Sequence, residues 1–291
     1  MHSDNRMNQA FFLRPKGSNT EAGLSNLRWS DISCCYDSSN AFVCSTRKNG
    51  VAYWSPEWYG FTASWGWFED DMWGGALRYK KEWGENWDVG AGIGYEKTTD
   101  ERLLTGGGGL AGFRRDIQDW AGSASIKHKP TGLFVMGAFS FSDNDDSNTK
   151  HAGIFTGTSD PQMSAWDIEF GIQRGVPWFN LDKLGETSVF GSISNIHNGL
   201  GAGTGLGRIG PTRFLPAGTF DNVTVGAEIT GADVDRWAVG VEQALDSANM
   251  HLYAVYQHFT ADVDLVDASL NHVAAPLDDF QLFYSGARIY F

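Results

Sequence analysis

The sequence predicts an all-β chain, an antiparallel transmembrane β-barrel, and three observations predict it. Apolar and polar residues alternate with period 2 through most of the chain, the signature of strands with two different faces. The apolar parity tends to begin or end on Trp or Tyr, and the polar parity is rich in Gly, Ser and charge. A barrel in a bilayer needs that pattern, with an aromatic girdle outside and a wet wall inside. The connections alternate between tight turns and long Gly- and Asp-rich stretches, so one rim carries turns and the other carries loops. No apolar run approaches the roughly 18 residues of a membrane helix. The longest, "GLFVMGAFSF" from Gly132, is strand-sized.

From the N-terminus, "NQAFFLRPK" (8–16) is the candidate for an upward strand, and 17–48 reads as a long loop. Strands are then predicted at 49–55, 59–68, 73–83, 87–96, 118–128, 132–142, 164–175, 185–194, 234–245, 249–260 and 280–291. In 73–83, Leu77, Tyr79 and Trp83 share one parity, and Arg78, Lys80 and Glu82 the other. In 87–96, Val89, Ala91, Ile93 and Tyr95 alternate with Asp88, Gly90, Gly92, Gly94 and Glu96. Trp120, Ala124 and Ile126 alternate with Ser123, Ser125 and Lys127, and Trp166, Ile168, Phe170 and Ile172 with Asp167, Glu169 and Gln173. Each segment is about ten residues, enough to cross a bilayer at a tilt. "SPEW", "GENW", "KPTG" and "DSAN" carry turn chemistry, and "GVPWFNLDKLG" is a longer connection of the same kind. Long loops are expected near 97–117, 143–163, 195–233 and 261–279. The final "FQLFYSGARIYF" places Phe283, Ala287, Ile289 and Phe291 on the lipid parity and Leu282, Tyr284, Gly286, Arg288 and Tyr290 inside. The chain thus ends on a wall strand.

Composition narrows the function. A formal net charge of −13 argues against a nucleic-acid partner, which favours a basic stripe. It serves either solubility or an acidic vestibule that favours cations. The three cysteines, Cys34, Cys35 and Cys44, lie in one polar segment, "DISCCYDSSNAFVCSTRKNG". A local disulfide from Cys35 (or Cys34) to Cys44 suits an oxidising compartment and leaves one thiol over. A zinc site is a poor alternative there, since no His lies nearby and the spacing has no C-x-x-C form. "MHSDNRMNQAFFL" lacks the apolar core of a signal peptide.

Several sharper motifs fail their context. "GAGTGLG" (201–207) and "GAGIGYE" (90–96) echo a dinucleotide loop, but no helix follows. "DNDDSN" (143–148) lacks the Gly and Glu of a calcium loop. The seven His show no metalloprotease pattern and no Ser–His–acid spacing. No cofactor, metal or catalytic group is expected.

"NGVAYWSPEWYGFTASWGWFEDD", "ALRYKKEWGENWDVGAGIGYE" and the terminal "SGARIYF" resemble the general porins of Gram-negative outer membranes, and the alphaproteobacterial subfamily in particular. Ser55–Pro56 and Gly60–Phe61 match a hairpin that follows the pore-folding loop there, and Phe291 matches the terminal Phe. The resemblance runs from about residue 8 to the end. It implies a single outer-membrane barrel domain over 1–291, usually a trimer of 16-stranded barrels, in contact with outer-membrane lipid and lipopolysaccharide. It also implies that 17–48 is the constriction loop and that Phe291 signals to the barrel-assembly machinery. This chain departs from the family in carrying about 12 strands and no leader, so an incomplete N-terminus is expected.

The parity singles out the wall charges. Arg78, Lys80, Lys127 and Arg288 supply positive charge to the lumen, and Asp88, Glu96, Asp167, Glu169 and Glu242 negative charge. Arg47 and Lys48 also come within reach. Opposed clusters impose a field that screens solutes by charge. Together these features predict a water-filled channel for passive diffusion of small hydrophilic solutes. The alternatives are a secreted soluble β-protein, such as an adhesin or binding module, and an outer-membrane barrel enzyme.

Overall fold

A computed structural model describes residues 49–69, 71–102, 114–144, 162–175, 184–197, 214–215, 227–267 and 272–289. They form one antiparallel sheet. Its strands are β1 (Gly50–Trp54), β2 (Phe61–Phe68), β3 (Trp73–Trp83), β4 (Trp87–Arg102), β5 (Arg114–His128), β6 (Leu133–Asn144), β7 (Gln162–Arg174), β8 (Thr187–His197), β9 (Phe214–Leu215), β10 (Ala227–Leu245), β11 (Met250–Asp267), β12 (His272–Pro276) and β13 (Phe280–Ile289). Each long strand pairs with its neighbours along the chain, from β1 through β8, then β10 and β11. β12 and β13 both pair with β11, and β9 pairs with β10. Among the described residues β1 forms one edge and β12 with β13 the other, and no pairing joins them. The predicted strand at 8–16, the loop at 17–48, the cysteines and Phe291 lie outside the described residues.

The register carries the predicted parity around the wall. Leu77 pairs with Ile93, which pairs with Gly122, then Phe139, Trp166 and Asn195. Side chains alternate faces along a strand, so paired residues share a face. Trp65, Leu77, Ile93, Phe139, Phe170, Val239 and Phe283 all lie exposed on this outer face. The aromatics gather at its two ends. Toward the loop rim, Tyr95 packs on Trp73 at 5.3 Å and on Trp120 at 4.5 Å. Toward the turn rim, Phe61 packs on Tyr79 at 4.6 Å and Trp87 on His128 at 4.5 Å. From Tyr95 to Trp87 is about 26 Å of strand, which tilts to roughly 20 Å of height, close to the apolar band of a membrane barrel.

Glycines on the inner face make room for neighbouring rings. A Cβ on Gly240 would sit 2.2 Å from Phe190 Cζ, and one on Gly171 2.8 Å from Phe134 Cζ and 2.3 Å from the Val189 carbonyl oxygen. Phe190, Ala238 and Val255 form a buried cluster there, with Phe134, Tyr253 and Tyr284 packed on it.

Strands β4, β5, β10 and β11 run well beyond their predicted ends, into the expected loops 97–117, 195–233 and 261–279. Past the apolar band neither face need be apolar, so "KTTDER" and "RRDIQD" stay paired without showing alternation. Each extension carries an irregularity. Between Thr98 and Glu101, and between Ile229 and Gly231, one strand has an extra residue. Leu277–Asp279 interrupt what is otherwise one strand through β12 and β13. Such bulges sharpen twist at a barrel rim.

At the other rim the turns are short. Tyr59 and Gly60 both adopt positive φ, at 51° and 91°. A Cβ on Gly60 would meet the Lys80 carbonyl oxygen at 2.8 Å, which explains glycine in "SPEWYG". Lys129 closes the rim from the β5–β6 turn, 2.6 Å from Glu82 and 3.2 Å from Asp88. The Glu82 hydrogen bond is the largest influence holding the Lys129 ammonium above the usual lysine value.

Candidate functional site

The nine wall charges chosen by parity all fall on the inner face, and the register arranges them in rows. In one row Arg78 pairs with Gly92, Gly92 with Ser123, and Ser123 with Ala138; Ala138 pairs with Asp167, Asp167 with Ser194, and Ser194 with Arg236. The next row runs Lys80, Gly90, Ser125, Met136, Glu169, Ser192 and Ala238. Nearer the turns, Glu82 pairs with Asp88 and Asp88 with Lys127. Glu96 pairs with Asp119 toward the loops, Glu242 with Tyr253, and His251 with Arg288 near the turns.

These residues share a face but not an environment. On β3 to β5, Arg78, Lys80, Ser123 and Ser125 are exposed. On β7 to β13 the same face is mostly covered: Phe190, Ala238, Val255, Phe259, Val234 and Ile196 are buried. Glu169 is only 5% exposed and Gln257 only 3%. The exposed face of β3 to β5 fits the expected watery lumen, and on β7 to β13 that face is packed over by apolar and polar side chains together. Both satisfy period 2, because alternation separates faces without saying how wet the inner one is.

The buried part holds a charge network. Arg236, 8% exposed, donates from Nη2 to Asp167 Oδ2 at 2.6 Å. It also donates from Nε to Ser194 Oγ at 3.0 Å and from Nη2 to Ser192 Oγ at 3.1 Å. Sequence reasoning did not single out Arg236. The signal was present, since Arg236 sits on the parity of Glu242 in "DRWAVGVE". Its partner is 69 residues away, and that pairing is invisible in the sequence. Elsewhere Glu242 Oε1 lies 2.5 Å from His251 Nδ1, and Lys127 Nζ 3.8 Å from Glu186. Among the described residues no group of three or more His, Cys, Asp or Glu is placed to hold a metal ion.

Comparison with known proteins gives three results. A family model described as Gram-negative porin matches residues 16–271. The crystal structure of Acinetobacter baumannii OccAB3 matches with a TM-score of 0.40 and 10% sequence identity, over 82% of this chain and 54% of that one. The chain spans about half the length of that protein. No curated protein matches. The family match covers most of the chain, including every wall charge but Arg288, and places the girdled sheet in an outer membrane: this chain belongs to the family of Gram-negative porins.

Proposed function

We propose that the chain works as a passive channel, a water-filled path by which small hydrophilic solutes and ions cross the outer membrane. One observation carries this reading. The sheet turns an apolar, aromatic-girdled face outward, while on β3 to β5 its inner face is exposed, charged and rich in Ser and Gly. That combination suits a wall with lipid on one side and water on the other. Transport is by diffusion, with no turnover and no cofactor. Segment 17–48 narrows the path, the outer face meets lipid and lipopolysaccharide, and three copies assemble with Phe291 read during insertion. The nine wall charges set which ions pass.

Planar-bilayer conductance of the detergent-refolded chain tests the reading. Steady steps that scale with salt are expected. A refolded β-sheet protein that inserts into the bilayer and yields no steps would overturn it.

A further inference from the structure

The formal charge of −13 suggests a lumen that favours cations. The inner wall points the other way once each charge is weighed by its accessibility and its partner. Among the inner carboxylates, Glu82 and Asp88 both face the Lys129 ammonium. Asp167 is bound by Arg236, and Glu242 shares a hydrogen bond with His251, an ion pair only when the imidazole is protonated. Glu169 is buried. Arg78 and Lys80 differ from all of these. Both are exposed, and among the described residues neither makes an ion pair. Arg78 is steadied by one neutral contact, a hydrogen bond from Nη1 to Ser64 Oγ at 2.9 Å.

The surface beside them is shaped to match. Arg78 lies opposite Gly92 and Lys80 opposite Gly90, and these glycines lie opposite Ser123 and Ser125 on β5. A Cβ on Gly92 would approach Arg78 Cγ at 3.7 Å, and one on Gly90 would approach Ser125 Oγ at 3.2 Å. Without them, β4 forms a floor of bare backbone between two cations and two hydroxyls. Adjacent strands are about 4.8 Å apart and alternate residues about 7 Å apart, so the trough is roughly 10 Å wide and 7 Å long. Lys127, on the next row of β5, stands apart from the trough, opposite Asp88 and 3.8 Å from Glu186.

We propose that this trough on β3 to β5 is a binding station for small oxyanions, solutes bearing a carboxylate or phosphate, and makes the channel prefer anions against the sign of its net charge. The proposal rests on the channel reading. Two unpaired cations attract the anion and two hydroxyls donate to it. The glycine floor lets it slide past without a steric step. Guanidinium suits the planar carboxylate or phosphate edge, and the ammonium adds a second point charge.

Reversal potential in a potassium chloride gradient tests the proposal on wild type, R78Q/K80Q and K81Q. Lys81 lies on the outer face of β3, opposite Val89, so K81Q removes one charge of the same sign from the wrong side. Wild type is expected to pass chloride over potassium. R78Q/K80Q should lower that ratio about fivefold, as expected for two charges within a Debye length of the path, and K81Q should leave it in place. A wild type that prefers potassium, or a K81Q effect equal to that of the double variant, overturns the proposal. A second readout needs no conductance. Inorganic phosphate added to the refolded protein should show 31P line broadening, lost in R78Q/K80Q. If no channel steps occur, the channel reading falls. Phosphate broadening that needs Arg78 and Lys80 would then still support the trough, and its absence would remove it. If R78Q/K80Q fails to fold, K80Q alone decides by the same readings.

Discussion

Replacing Arg236 with Met should cost about 3 kcal/mol of stability, although Arg236 lies in a wall built to face water. Arg236 is 8% exposed, and its guanidinium donates to Asp167 and to two serines that are 2% and 4% exposed. Breaking a buried ion pair by removing one partner typically costs ~3–5 kcal/mol, because the remaining charge loses the cation that compensated it. The Asp167 side chain keeps 26% exposure, so water recovers part of that and ~2 kcal/mol remains. Losing a charged donor to each serine adds about 0.5 kcal/mol apiece. The assay is urea unfolding of the refolded protein in detergent, followed by circular dichroism and Trp fluorescence. The double variant R236M/D167L supplies the control. An apolar pair in place of a buried ion pair is often close to neutral, so the double variant should recover about 2 kcal/mol of the loss. An unchanged midpoint in R236M, or a double variant that loses the sum of both single losses, would refute the reasoning.

G240A should destabilise by roughly 1–3 kcal/mol, since its Cβ would lie 2.2 Å from the buried Phe190 ring, and G240A/F190L should recover much of this in the same unfolding assay. The Lys129 ammonium is held above its ordinary value of 10.5 by Glu82 first and Asp88 after it. A raised value means that its contribution is fully present below 10.5 and is lost as pH rises through the folded value. Unfolding midpoints of wild type and K129M should therefore differ at neutral pH and converge only above pH 10.5; a constant gap would sink the assignment. Trp166 and Trp237 are 41% and 43% exposed on the outer face, so acyl-brominated lipid should quench their fluorescence, and W166F/W237F should lose part of that quenching. A soluble protein whose apolar parity faces a dry core would show no such difference.

The separation of the two faces was legible in the sequence, because strand pleating is local and exact pairing carries it from strand to strand. Leu77, Ile93 and Trp166 could be assigned to the outside from alternation alone, and the register joins them through Gly122 and Phe139. The turn rim was legible too, since Pro, Gly and Asn report backbone conformation directly, as Gly60 does. Strand length was not. Beyond the bilayer both faces meet water, so the ladder from Thr98 to Arg102 continues without a hydrophobic signal.

The sequence by itself determined that Arg78, Lys80, Asp167 and Glu169 belong to one face. Only the tertiary structure decided that the first two stand in the open while Asp167 is partly covered and Glu169 is buried. Parity depends on a residue's own strand. Exposure and pairing depend on how strands far apart in the chain are brought together, as Asp167 and Arg236 are across the strand that separates them.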